Sequence, residues 1–414
     1  MPRVISCLIW QPSPLAEQFG KAVGWRWIAG ATLAMAAAFG VGRFAYTPLL
    51  PEMRHLYNWT YSQAGDIASS NFLGYLVGAL VAPALFRLRP PQLLLALVLI
   101  ASVATTALGG WAQSYEQWLV LRFASGVASA AVLIVLTTWL TQMLQQSGQS
   151  TLGNLHVSGV GVGIVLTVLV LQPAVVVSEH WFDLGALAAL CMALAWVLMR
   201  PLPITVTDAQ MSGARESSDS EASATSRIPL FRLVAGYGPF GYGYVVAATF
   251  VVALSAQLAS QSSQSLQSNP EWVWLIVGAA IIPSVALWQW LANRWGYFAA
   301  LRLAYAVEAV GLFLAAVASS QTQLAWACVL LGGTFSAITA LGLSAARELE
   351  PSRVAWMISA MTAAFSVGQL IGPLVSGRLA DLSGGFFWPM MVAGVTLAMA
   401  AALVSKPSQS AVRS

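Results

Sequence analysis

Twelve stretches of this chain are each long and apolar enough for a helix to cross the ~30 Å hydrocarbon core of a bilayer, which takes about 20 residues. They fall at roughly 25–50, 62–86, 91–112, 116–143, 151–176, 182–200, 230–257, 271–292, 298–318, 323–345, 353–377 and 385–404. In lipid every backbone N–H and C=O needs an internal partner, so isolated strands cannot span and helices can. The fold class predicted is therefore an all-α membrane protein with twelve transmembrane helices. Composition agrees: 58% of residues are hydrophobic and 8% charged, against about 25% charged in soluble domains. A surface so poor in ions cannot face water all round.

The same scarcity narrows function. The net charge of +4 comes from few ions, and no basic run with interleaved aromatics is present, so no nucleic-acid partner is expected. Cys7, Cys191 and Cys328 lie far apart, which excludes CxxC-type zinc, haem and iron–sulfur sites. Neither a metal nor a cofactor is expected. Residues 1–24 lack the cleavage pattern of a secretory signal and read as an N-terminal tail.

Orientation follows from Lys and Arg, which gather in cytoplasmic loops. With both termini in the cytoplasm, the inner segments carry all of the 19 cationic residues except Arg54 and Arg378 in outer loops and Arg43 and Arg122 inside spans. Residues 201–228, with the run SGARESSDSEASATSR, are too polar and Ser-rich to order themselves. The domain plan is thus a cytoplasmic tail at 1–24, a six-helix bundle at 25–200, a flexible cytoplasmic linker at 201–228, a second six-helix bundle at 229–404 and a cytoplasmic tail at 405–414.

The two bundles repeat one another. Phe39-Gly40-Val41-Gly42 matches Phe240-Gly241-Tyr242-Gly243, LVGALVAP from Leu76 matches IVGAAIIP from Ile276, and Gly126-Val-Ala-Ser-Ala130 matches Gly333-Thr-Phe-Ser-Ala337, each pair offset by about 200 residues. Three matches in order indicate duplication of a six-helix unit. Repeats in the same orientation suit a site between them that opens to alternate sides.

GVGRFAYTPLLPEM (40–53) and QAGDIASSNFLGYLVGAL (63–80) resemble the major facilitator superfamily, in particular its YbfB/YjiJ-type branch of bacterial transporters. Leu291-Ala-Asn293-Arg294-Trp-Gly296 is similar to the superfamily's loop signature between helices eight and nine, with Asn293 where Asp is usual. The matching loop after helix two, Phe86-Arg-Leu-Arg-Pro90, lacks the acid and the Gly. Arg122-Phe-Ala-Ser-Gly126 resembles the fourth-helix Arg signature linked to proton coupling. Gly372-Pro373 resembles an exporter signature, displaced here to helix eleven. The resemblance implies two pseudo-symmetric bundles, a bacterial inner-membrane location, a small-molecule substrate and a monomer.

Arg43 lies deep in the first span, where a charge costs about 2.5–3.5 kcal/mol on insertion scales and faces a cavity or a partner. Its planar fork suits a carboxylate or phosphate. It reads either as an anchor for an anionic solute or as the partner of Asp66 on the next span. Arg122 reads either as a cavity residue or as a donor to backbone carbonyls. Asp66 and Glu308 are acids within spans and candidates for proton coupling, Asp66 through contact with Arg43. The resemblance puts helix nine at the periphery, which makes Glu308 a neutral or locally hydrogen-bonded residue. Tyr46, Asn71, Tyr75, Tyr237, Tyr242, Tyr244 and Gln369 are neutral polar groups on helices that line the cavity in the implied fold. Gly74-xxx-Gly78 and Gly159, Gly161 and Gly163 read as packing surfaces, and Gly238-Pro239 and Gly372-Pro373 as kinks. Trp25, Trp27, Trp59, Trp111, Trp181 and Trp388 read as interfacial anchors.

No catalytic triad, metal pair or phosphate loop can be assembled, so no enzyme is expected. The function read from these features is secondary active transport of a small organic solute, anionic or zwitterionic, with possible coupling to protons. Proton-driven efflux of lipophilic compounds is the alternative within the class. A non-transporting sensor or scaffold on the same fold is the alternative outside it.

Overall fold

The structure, a computed structural model, describes residues 14–88, 91–146, 154–171, 176–200, 224–261, 269–349 and 354–404. Most of the expected linker and both extreme ends lie outside the described residues. Among those described there is no strand. Nine helices are long and apolar enough to cross a membrane, and Leu155–Val170 and Phe387–Leu403 are shorter apolar ones.

Each of the twelve expected spans contains helix among the described residues. The first is α1 (Pro14–Met35), a π-helical stretch Ala36–Val41, a turn, and α2 (Tyr46–Tyr57). Then come α3 (Tyr61–Leu88), α4 (Pro91–Ala107), α5 (Tyr115–Gln146), α6 (Gly159–Val170) and α7 (Val177–Leu198). The second half holds α8 (Ala224–Gln261), α9 (Trp272–Trp295), α10 (Tyr297–Ala316), α11 (Gln321–Leu349), α12 (Val354–Ser383) and α13 (Phe387–Leu403). Helix α1 starts within the stretch read as a tail, and α8 within the stretch read as linker. Gly296, at φ 86°, makes the tight connection between α9 and α10, a conformation that a Cβ disfavours.

Packing repeats as the sequence does. Helix α3 packs on α5 as α9 packs on α11, α4 on α5 as α10 on α11, and α6 on the π stretch as α12 on α8. Between the halves, α3 meets α12, α6 meets α9 and α2 meets α8. Glycine permits the closest of these approaches. A Cβ on Gly163 would strike the Ala36 carbonyl, and one on Gly161 would sit 2.5 Å from the Gly278 oxygen across the seam. The glycines expected as packing surfaces therefore do lie on backbone contacts.

One expectation is corrected. Trp27, Trp59 and Trp181 are buried, whereas Trp25, Trp111 and Trp388 are more than half exposed. Position near a span end does not say which face a ring takes, and the three buried rings face neighbouring helices, as Trp181 does against Trp118. Pro239 and Pro373 lie inside long helices, where each withholds a donor from the carbonyl four residues back. A larger change of hydrogen bonding falls in the first span, where Gly42 N bonds Ala37 O at 2.8 Å and Phe44 N bonds Phe39 O at 2.9 Å, each one residue longer than an α-helical bond. Pro48 reinforces it, since proline has no N–H to give the carbonyl four residues back.

Candidate functional site

The interruption in the first span fixes the site. A π-to-turn transition leaves carbonyls without helical partners, and α5 supplies donors for them. Arg122 Nη1 donates to Gly42 O at 3.0 Å and Nη2 to Arg43 O at 2.6 Å, with Ser125 Oγ 3.4 Å from Gly42 O. Thr167 Oγ1 on α6 donates to Gly40 O at 3.3 Å. Of the two roles open to Arg122, this geometry is the carbonyl-binding one.

Beyond the turn, Arg43 is turned into a cage of rings. Its guanidinium carbon lies 4.3 Å from the Tyr75 centroid, 4.7 Å from Phe72, 5.5 Å from Phe39 and 5.8 Å from Phe44. The side chain is 3% exposed, and Nε and Nη2 have no hydrogen-bond partner. Cation–π contact satisfies the charge in part and leaves donor directions open.

The expected Arg43–Asp66 contact does not form. Asp66 Oδ1 instead pairs with Arg378 Nη1 of α12 at 3.0 Å, and Oδ2 accepts from the Tyr115 hydroxyl at 3.0 Å. The reason is depth. The α3 rings that meet Arg43 are six and nine residues past Asp66, about 9 and 14 Å farther along the helix at 1.5 Å per residue.

Asp66 belongs to a lock at the distal end of the molecule, where α3 begins and α12 stops. There Asp381 of α12 accepts from Tyr61 N at 2.9 Å, Ser62 N at 2.8 Å and Ser62 Oγ at 2.5 Å. These are the free amides at the start of α3, so the N-terminus of a helix in one half is capped by a carboxylate of the other. Thr47 Oγ1 donates to the Ala248 carbonyl, a further polar link between the halves.

Glu308 is a further correction. Helix α10 is not peripheral at this position. Leu301, Ala304, Tyr305, Glu308, Leu312 and Ala315 form one fully buried face, and Glu308 lines a cavity between the halves with Phe44, Tyr244, Trp274 and Phe335. The empty space in and in front of it, open solvent included, comes to ≈ 370 Å³, so the closed part is small. Neither carboxyl oxygen of Glu308 makes a hydrogen bond of good geometry, although the Thr334 hydroxyl lies beside the carboxyl. The Thr334 hydroxyl donates to Leu330 O at 2.8 Å.

The two unsatisfied groups are joined by rings. Phe44, next to Arg43, contacts Phe335 at 6.1 Å and Trp274 at 6.0 Å, and Phe335 stacks on Tyr244 at 4.6 Å. The Tyr244 hydroxyl accepts from Gln369 Nε2, while Gln369 Oε1 has no partner. Arg43, Tyr75, Tyr244, Gln369 and Glu308 are thus brought together. The other sequence candidates are not. Tyr46 donates to Ala64 O at 3.0 Å, Asn71 Nδ2 to Arg122 O at 2.9 Å, and the Tyr242 hydroxyl lies 3.4 Å from Ser376 Oγ. His156 bridges to Thr137 at 3.2 Å. Asn293 accepts from Gln289 at 3.2 Å, and Arg294 lies over Trp290 at the α9–α10 turn. Gly372 packs on Val245, and the Pro373 carbonyl abuts Gly65 of α3.

Asp381, Arg378 and the cavity face of Glu308 were missed in the sequence. The buried face of α10 was the available signal, since its acid falls in register with Leu301, Ala304, Leu312 and Ala315. Among the described residues no cluster of three metal-ligating side chains occurs.

Two six-helix halves meeting around a polar seam inside an apolar shell define a multi-pass membrane transporter of the major facilitator class. The chain belongs to the family described as "Uncharacterised MFS-type transporter YbfB", whose profile matches residues 14–405. It is similar to a chloramphenicol resistance protein of Streptomyces lividans, at 25% identity over 372 residues, covering 88% of this chain and 91% of that one. Its fold is like that of the nucleoside transporter NupG, with TM-score 0.66, 15% identity, and 92% and 98% of the two chains covered. It is also like the human organic anion transporter MFSD10 (TETRAN), with TM-score 0.63, 15% identity, and 95% and 100% covered. The chain is accordingly a secondary transporter for a small molecule.

Proposed function

We propose that this chain carries a small organic anion or zwitterion across the bacterial plasma membrane by alternating access, as a monomer with both termini in the cytoplasm and with protons as the coupling ion. One observation carries the reading. Arg43 is buried at the seam between the halves with no acid partner among the described residues and with two guanidinium nitrogens free of hydrogen bonds. A buried cation without an anion is costly, and an arriving carboxylate or phosphate would supply bidentate acceptors. The distal lock, with Asp66–Arg378 and Asp381 on α3, supports a state closed on the outer face.

Coupling passes to Glu308. Asp66 is held by Arg378 and Tyr115, whereas the Glu308 carboxyl makes no hydrogen bond of good geometry in the cavity wall and is carried there most cheaply with a proton. The test is uptake by reconstituted vesicles of a metabolite panel rich in organic acids and amino acids, with and without a pH gradient. R43A protein should insert normally and transport nothing. Undiminished transport by R43A would end the reading.

Export of lipophilic compounds is the second reading. The mostly apolar cavity lining favours it, as does the similarity to a chloramphenicol resistance protein. It requires transport that survives loss of Arg43.

A further inference from the structure

We infer that Glu308 and the rings around it form an ammonium subsite, so that the substrate carries a protonated amine on an apolar, ring-sized body. This rests on the transport reading and narrows its substrate to a zwitterion or a lipophilic amine.

Three observations converge. The Glu308 side chain is fully buried, lines the cavity and leaves both oxygens without a hydrogen bond of good geometry. The walls beside it are the rings of Phe44, Tyr244, Trp274 and Phe335, whose faces attract cations most strongly where water is excluded. No Lys, Arg or His lines the cavity among the described residues, so its walls supply no cation of their own. A carboxylate among aromatic faces complements an ammonium with apolar substituents, and the remaining lining, from Ile164, Val251 and Ile281 among others, complements the body. A site for a proton alone would need the carboxyl but not the rings.

The same oxygen pair can hold a proton or the ammonium but not both at full strength. Arrival of the amine therefore releases the Glu308 proton to water, and return of a proton weakens the amine site. The groups around Glu308 leave this competition to it alone. On its own helix the ionisable neighbours are Tyr305 and, toward the ends, Tyr297 and Arg302. Helix α8 presents Tyr237 and Tyr244, with Tyr242 turned to Ser376 and Arg227 and Arg232 near its start. Helix α9 carries only Arg294, in its last turn. Helix α11 has Cys328, Arg347 and Glu348, and α13 has none. Phenols and thiols are neutral through the acid range, and arginine side chains stay charged throughout it.

Calorimetry on the purified full-length protein tests this without requiring transport. The probes are phenethylamine, its neutral counterpart phenethyl alcohol, and phenylacetate. Wild type should bind phenethylamine at least about tenfold more tightly than the alcohol. That preference should weaken as the solution is acidified, because protons compete with the amine for the same carboxyl oxygens. E308Q, which keeps the shape, should bind amine and alcohol alike. Equal binding of amine and alcohol by wild type, or an amine preference that survives both acid and E308Q, overturns the subsite. Phenylacetate separates the two proposals. Arg43-dependent phenylacetate binding with no amine preference removes the subsite and leaves the anion reading in place. Amine preference in a protein whose vesicles transport nothing does the reverse.

Discussion

The two halves contain the same four-residue pattern and fold it differently. Phe39–Gly42 lies across a π stretch and a turn, whereas Phe240–Gly243 sits inside the uninterrupted α8. The residues C-terminal to the pattern decide the outcome. After Gly42 come Arg43 and then Pro48 and Pro51, which withhold two backbone donors; after Gly243 come Tyr244, Val245 and Val246, which withhold none. The neighbouring helix differs as well. Helix α5 offers Arg122 to the exposed carbonyls, and the position of α11 that matches it through the Gly-x-x-Ser-Ala repeat is Val329, an exposed residue. Duplication kept the glycines and small residues that helix packing needs. Polar residues were then divided, with cations in the first half and the cavity acid in the second. An asymmetric solute needs a site of that kind.

If the first half uses one arginine for the solute and the other for the fold, the two should fail differently. R43A should lose transport by about a thousandfold, the scale of one buried charge-assisted contact. Its thermal stability should equal or exceed that of wild type, because an unpartnered buried charge is removed. R122A should lose roughly 3 kcal/mol of stability, since the Gly42 and Arg43 carbonyls would be left buried without their donors. Unfolding curves in detergent and vesicle uptake, measured on both variants, decide the matter. A stable R122A alongside an unstable R43A would invert the assignment.

The acid of the second half gives the next contrast. One pH unit across the membrane is worth about 1.4 kcal/mol per proton, or about a tenfold accumulation. E308Q should lose that stimulation while D66N keeps it. The reverse result would return coupling to Asp66 and make the cavity acid a bystander.

The sequence disclosed the architecture because spanning segments are set by a one-dimensional quantity, a run of apolar residues as long as the bilayer is thick. Each of the twelve runs contains helix among the described residues, and the repeats pack in equivalent pairs. Side-chain pairing was less legible because it depends on depth and rotation, and the π stretch alters both. Asp66 and Arg43 both read as occupants of the outer half of adjacent spans, yet about two helical turns separate Asp66 from the rings that hold Arg43. Arg122 offered two roles, and only the position of the break in the first span selects the carbonyl-binding one. Glu308 was hidden for another reason. Its place on an apolar face was readable, but the position implied for its helix argued against a cavity role. Asp381 could not be matched to Ser62 from sequence at all, since the two are 319 residues apart.

The smallest effects belong to the distal lock, where the halves touch through groups that water can reach. Arg378 is about half exposed and Asp66 a quarter exposed, so D66N or R378A should each cost under about 1 kcal/mol in the balance between closed and open states. D381N should cost more, because that carboxylate accepts from two backbone amides and a hydroxyl at the start of α3, where the helix dipole also favours a negative charge. Spin labels at Thr60 and Leu382 would report the opening as a longer second distance, more populated in D381N than in D66N. High salt should reproduce part of the D66N effect and less of the D381N effect, since screening weakens the exposed ion pair more than short hydrogen bonds to amides. Equal responses of the two variants, or none, would mean that the closed end is held by Thr47, Tyr61 and the apolar contacts around Phe250 rather than by its charges.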